Sequence, residues 1–363
     1  PAFYPFRAAP RALPSPLRSP IARPFSSRAP QAKKIPDTAE NRAAYRSMLY
    51  QAPGLSEYIS GVILHWETLF QTDADGKKMV DLITGAGMIP GIKLDKGYDK
   101  AGIPGTASGP LKHPETWCKG IDDLEKRAEE AYKQGARFAK WRNVLQIDPA
   151  KGLPSELAVV ESSHSLARYA AICQRNGLVP IVEPEIVPNG DHSIEWCAKA
   201  TERVLRSQFQ ALALHKVYLE GCLLKPNMVK NGLKGPAATP EEIAVLTITA
   251  LKRTVPSALP GIFFLSGEMP LDVDNEESAT INLSKMHEIF PVLPWHVSFS
   301  YGKALQKTCI VTWMGDAANN GAAQTALKNR SQANTDAIAG KYVAGTCASV
   351  GLDGNIAQAA GPY

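Results

Sequence analysis

The chain has 363 residues, 44% apolar and 21% charged, enough for one large domain or two ordinary ones and ordinary for a globular enzyme. It contains no run of about 20 apolar residues, which excludes a helical membrane span. The net charge of +5 is not a nucleic-acid footprint: residues 1–36 carry seven Lys/Arg and no acid, leaving 33 of the 40 basic residues to face 35 acidic ones over the rest of the chain.

The first 36 residues are rich in Pro, Arg, Ser and Ala and show neither strand alternation nor a helical stripe. Three readings stand for them: an organelle transit peptide (plastid or mitochondrion), with Arg23-Pro-Phe-Ser resembling a mitochondrial processing site; a disordered linker; or an error at the 5′ end of the gene. Without a transit peptide the expected location is the cytoplasm. At Asp37 the character changes, and DTAENRAAYRSMLY reads as a helix capped by Asp37 or Thr38.

Seven short apolar segments then recur, each ending in polar or charged residues: GVILHWE (61–67), MIPGIKLDKG (88–97), RFAKWRNVL (137–145), LVPIVEPEI (178–186), CLLKPNMV (222–229), GIFFLSG (261–267) and HVSFSYGK (296–303). Amphipathic helices fall between most of them, at 121–134, 155–176, 193–217 and 239–254, the last opening TPEE with Thr239 at the N-cap. Alternating strands and helices predict a parallel sheet with right-handed crossovers, and continuous apolar strands predict burial on both faces. The expected fold is α/β, a TIM (β/α)8-type barrel of parallel strands lacking or substituting its first strand. The expected divisions are residues 1–36 as a presequence-like or disordered segment, 37–343 as the barrel and 344–363 as a mobile tail. Six scattered cysteines without a CxxC point to reduced thiols. Neither HExxH nor zinc spacing of Cys and His occurs, so no metal and no cofactor are expected.

Catalytic groups of a barrel sit at the C-terminal ends of its strands. Those positions hold Glu67; Lys93 and Asp95; Lys140 and Arg142; Glu183 and Glu185; Lys225; Ser266; Ser300 and Lys303. The i, i+2 pairs Lys140/Arg142 and Glu183/Glu185 each point to one face. Three cations and two carboxylates therefore converge on one volume, either as a stabilising ion network or as a site. Lys225, in LLKPNM (223–228), decides between them. Desolvation of a lysine at a strand end lowers its pKa and makes it a Schiff-base nucleophile, whereas a lysine reaching past the strand into water is inert.

With FAKWR (138–142), IVEPEI (181–186), LLKPNM, FLSG (264–267) and FSYG (299–302) in this order, the chain resembles the class I fructose-bisphosphate aldolases, from about Thr38 to about Ala323. TAENRAAYR, GIKLDKG, EIAVLTITALKRTVP and INLSKMHEI add to the resemblance. It implies reversible cleavage of fructose 1,6-bisphosphate to dihydroxyacetone phosphate and glyceraldehyde 3-phosphate, in glycolysis, gluconeogenesis or the Calvin cycle. The implied partners are a sugar-phosphate substrate and three further copies in a homotetramer, with neither nucleic acid nor membrane. Lys225 is implied as the imine-forming lysine, its pKa depressed by Lys140, and Glu183 as the proton carrier, its own pKa raised by burial near Glu185. Glu185 and Arg142 hold the network in register, and the terminal Tyr363 exchanges the enamine proton. Ser266, Gly267 and Gly302, with Ser300 and Lys303, make a phosphate cradle, while Lys93 and Asp95 face the other phosphate.

Three departures qualify the likeness. In the family a first strand precedes the TxENR helix and ends in an Asp-Glu-Ser run whose aspartate helps cleave the carbon–carbon bond, but here the first acid is Asp37. Lys303 stands where the family usually has arginine, losing the bidentate fork. Glu268, followed by MPLDVDN, replaces a second glycine and a shorter loop. Borohydride with dihydroxyacetone phosphate is thus expected to label Lys225, while cleavage is slow; brisk cleavage means another residue replaces the lost aspartate. The alternative is an impaired homologue used as a binding or structural protein. A further expectation is that residues 29–35 cross the gap irregularly or that the barrel is open there, with no regular strand from residues 1–36.

Overall fold

The computed structural model describes residues 21–22, 35–267 and 275–347. Among these, eight strands form one parallel sheet in sequence order: β1 Ile21–Ala22, β2 Gly61–Leu64, β3 Ile89–Lys93, β4 Phe138–Gln146, β5 Val179–Val187, β6 Leu223–Leu224, β7 Gly261–Phe264 and β8 His296–Phe299. The helices are α1 Ala39–Tyr50, α2 Trp66–Phe70, α3 Met79–Gly85, α4 Leu124–Lys133, α5 Glu156–Arg175, α6 Ile194–Leu214, α7 Pro240–Thr254, α8 Asn275–Ile289, α9 Lys303–Trp313 and α10 Asn320–Ile338. All seven predicted strands and the predicted helices are present, and the α/β barrel expectation holds. Local chemistry sets the helix starts: Thr38 and Ser155 accept hydrogen bonds from backbone N–H groups of α1 and α5, and Thr239 and Glu242 close a capping box on α7.

Strand alternation divides the core in two. Side chains facing the helices form the large outer cluster, in which Leu64, Ile92, Val182, Leu224, Ile262 and Val297 are buried. The inward set, Ile63, Phe138, Ile181 and Phe263 with Ile89, Val179 and Leu223, fills the floor of the barrel. Gly91 pairs with Phe138 across β3 and β4, and a Cβ there would lie 2.2 Å from the Phe138 ring, so glycine makes room for one of the two floor phenylalanines. Above this floor the same alternation aims the next residues of each strand into the barrel mouth.

The first strand corrects one expectation. Ile21 and Ala22 pair in parallel with Gly61 and Val62, so residues 1–36 do contribute regular backbone, on the edge that β2 would otherwise leave open. The strand is only two residues long, and among the described residues no ladder joins β8 back to β1. Of the stretch expected to cross the gap, residues 29–34 lie outside the described residues; Ile35 is half-buried against the outer core. The Glu268 loop and most of the expected tail, Tyr363 included, also lie outside them.

Candidate active site

Lys225 follows the two-residue strand β6, and its N–H donates to the Val182 carbonyl at 2.8 Å, which extends the β5–β6 ladder and brings Lys225 abreast of Glu183. Both side chains have 0% exposure, which rules out the solvent-reaching reading of this lysine. Lys225 Nζ donates to Glu183 Oε1 at 3.1 Å, and Lys140 Nζ stands 3.2 Å from Glu183 Oε2. On its other side Lys140 donates to Asp95 Oδ2 at 3.2 Å, and Asp95 Oδ1 pairs with Lys93. The result is an alternating chain, Lys225–Glu183–Lys140–Asp95–Lys93, that runs from β6 back to β3. Buried charges require such pairing, because each ion alone costs several kcal/mol to desolvate.

Arg142 and Glu185, the other members of the two i, i+2 pairs, bind one another through Nε and Oε2. Burial opposes the Arg142 charge, but Glu185 more than offsets this and raises its pKa. The two halves meet at Asp95, whose carboxylate also accepts the Arg142 N–H at 3.3 Å and the Gly97 N–H at 3.2 Å. Burial alone would raise the Asp95 pKa, yet the Lys140 and Lys93 charges outweigh it and hold the carboxyl below its usual range. Four donors occupy this carboxylate, so Asp95 fixes Lys93 and Lys140 in place.

Glu67 does not belong to the site. It lies on α2, where it accepts from Arg42 at 2.6 and 3.0 Å and from Arg46 at 2.7 Å, tying α2 to α1; hydrogen bonds from Arg42 above all bring its pKa down to about 2. On the opposite wall, Ser266 and Ser300 are buried, the Ser300 N–H donates to the Phe264 carbonyl at 2.8 Å, and Gly267 adopts φ +71°. Gly302 caps α9, which begins with the exposed Lys303, so the predicted cradle residues do gather where β7 and β8 end.

Two residues were not anticipated. The buried Lys230 stands by the cradle, its Nζ 3.2 Å from where a Cβ on Gly267 would be. His65 ends β2, two residues after the inward Ile63, in extended backbone (φ −78°, ψ 158°), so its imidazole faces the mouth. Burial, then the Lys93, Arg46 and Lys140 charges, lower its pKa to about 4 against a smaller opposing effect of Asp95. Counting by two from Ile63 reaches it in the sequence, but the charged residue of that segment is Glu67.

Fold and site together define a class: a (β/α) barrel enzyme with a buried lysine–glutamate pair between β5 and the end of β6. The family model described as fructose-bisphosphate aldolase class-I matches residues 28–359, and the chain belongs to this family. It is 51% identical over 312 residues to fructose-bisphosphate aldolase 1 of Toxoplasma gondii, covering 86% of this chain and 82% of that protein. The cytosolic fructose-bisphosphate aldolase 5 of Arabidopsis thaliana is 48% identical over 312 residues, 86% and 83% of the two chains. Among solved structures, a Plasmodium falciparum fructose-bisphosphate aldolase in a ternary complex with TRAP and a small-molecule inhibitor superposes with a TM-score of 0.84 at 46% identity, over 90% of this chain and 91% of that one. The family match starts at residue 28, after β1.

Proposed function

We propose that this chain is a Schiff-base lyase that reversibly cleaves fructose 1,6-bisphosphate to dihydroxyacetone phosphate and glyceraldehyde 3-phosphate. The observation that carries the reading is the fully buried Lys225 Nζ at 3.1 Å from Glu183 Oε1. Glu183 takes the ammonium proton of Lys225, and the free amine adds to the C2 ketone. The same carboxyl returns the proton to the carbinolamine hydroxyl, which leaves as water and gives the iminium. Lys140 keeps Glu183 aimed at Lys225, and Arg142 with Glu185 steadies the wall beside it. The iminium then accepts the C3–C4 electron pair, and Tyr363 protonates the resulting enamine by the resemblance. Ser266, Gly267, Ser300, Gly302 and Lys303 bind one phosphate through backbone N–H groups and the α9 N-terminus, and Lys93 serves the other.

The test is borohydride reduction in the presence of dihydroxyacetone phosphate. A mass adduct on the Lys225 peptide, absent from Lys225→Met, is expected; no adduct sinks the reading. A second reading, an impaired homologue that binds without cleaving, is favoured by the lack of any acid in residues 1–36. It is separated by the cleavage rate of the same preparation. Assembly as a homotetramer follows from the family alone and is checked by light scattering. Among the described residues no helix is long and apolar enough to cross a membrane. An organelle presequence accounts for the basic, acid-free start, but processing after Arg23 would strip β1 from β2. N-terminal sequencing of the mature chain decides between a presequence and a retained strand.

A further inference from the structure

Cleavage needs a second proton acceptor. As the C3–C4 bond breaks, the hydroxyl on C4 must lose its proton to become the aldehyde oxygen. Among the described residues, the carboxylates at the barrel mouth are committed elsewhere: Glu183 lies between Lys225 and Lys140, Glu185 binds Arg142, and Asp95 holds four donors. Neither β1 nor the rest of residues 1–36 contains an acid.

His65 stands in the right place. Leu64 pairs with Ile92, so His65 comes abreast of Lys93, and Lys93 pairs with Lys140 on the next strand. At the spacing of parallel strands its backbone is about 10 Å from that of Lys140, a separation that two inward side chains and a substrate carbon chain fill. The ring is half-buried, and no hydrogen bond of its nitrogens is found among the described residues. With its pKa near 4 it is neutral at pH 7 and has about the basicity of a carboxylate.

Resting on the aldolase reading above, we propose that His65 is the catalytic base of carbon–carbon cleavage. The C4–O–H bond breaks as N–H forms on the imidazole, C4=O forms, and C3–C4 opens. Its electron pair makes C2=C3, and the C=N pair returns to the Lys225 nitrogen. The imidazolium then releases its proton to water as the aldehyde leaves.

The experiment compares the unaltered chain with His65→Asn, His65→Phe and His65→Asp in two assays: fructose-bisphosphate cleavage, and borohydride labelling of Lys225 with dihydroxyacetone phosphate. Both neutral variants are expected to lose cleavage by roughly 10²–10⁴-fold, the usual contribution of a positioned base, while labelling of Lys225 persists. His65→Asp restores cleavage over His65→Asn. Unchanged cleavage in His65→Asn overturns the proposal. So does parallel loss of labelling in all three variants, which marks a structural role, or adduct formation without cleavage in the unaltered chain. Failure of the unaltered chain to form the adduct overturns the aldolase reading and this one with it; an adduct with cleavage indifferent to residue 65 overturns this one alone.

Discussion

Lys140→Met removes the central ammonium of the alternating chain and keeps much of its volume. Lys140 Nζ is 3.2 Å from Asp95 Oδ2 and 3.2 Å from Glu183 Oε2, and all three side chains are buried. At that distance and an effective dielectric constant near 20, each contact is worth about 5 kcal/mol of Coulomb energy. Removing the lysine also relieves the cost of desolvating its own charge, so the net loss is expected at about 3–5 kcal/mol, the range for breaking one side of a buried ion pair. The assay is urea unfolding at pH 7 and again in acid. The sign of the pH effect follows from Asp95, whose folded pKa is depressed by Lys140 and Lys93. Its contribution is present above the unfolded value near 3.9 and fades as the pH falls through the folded one, so the gap between the two proteins narrows below about pH 4. A loss under about 1 kcal/mol at pH 7, the value of an exposed pair, or a gap that widens in acid, would refute the reasoning.

Gly91→Ala is expected to destabilise by about 1–3 kcal/mol or more, since the new methyl meets Phe138 on the barrel floor. Calorimetry checks this, and Phe138→Leu in the same chain should recover part of the loss; equal melting temperatures for Gly91→Ala and the parent refute it. His65 predicts a second pH effect. Its folded pKa near 4 is below the unfolded value near 6.5, so between the two the unfolded chain binds the proton and stability falls as the pH drops from about 6.5 to about 4. Relative to His65→Phe the fall is up to about 3 kcal/mol, read from urea midpoints at each pH, and parallel profiles for the two proteins count against it.

The sequence carried the fold well wherever an apolar run was long enough to have a period. β4 and β5, nine residues each, keep the i, i+2 pairs Lys140/Arg142 and Glu183/Glu185 each within one strand, though inside the strands rather than at the C-terminal ends that the sequence predicts. β1 could not be read in this way, because two residues in a proline-rich stretch have no alternation; what recruits Ile21 and Ala22 is the open edge of β2. Side-chain pairing was legible only as convergence. Nothing in GIKLDKG says that Asp95 folds back onto Lys93 and Lys140, since that outcome depends on the register that sets Lys93 beside Lys140.

The register also explains why a neutral base suits this barrel. The paired groups at the mouth are Lys93, Lys140, Arg142 and Lys225 against Asp95, Glu183 and Glu185, so cations exceed anions by one. A carboxylate from a first strand would cancel that excess, and it would sit beside a substrate that carries two phosphates. An imidazole held neutral first by burial and then by the Lys93, Arg46 and Lys140 charges leaves the excess in place, and on the proposal above it accepts the proton with similar basicity. Burial and, after it, the lysines that need acidic partners to be buried at all set the protonation of His65, so that on the proposal above an uncharged histidine after β2 serves where residues 1–36 offer no acid.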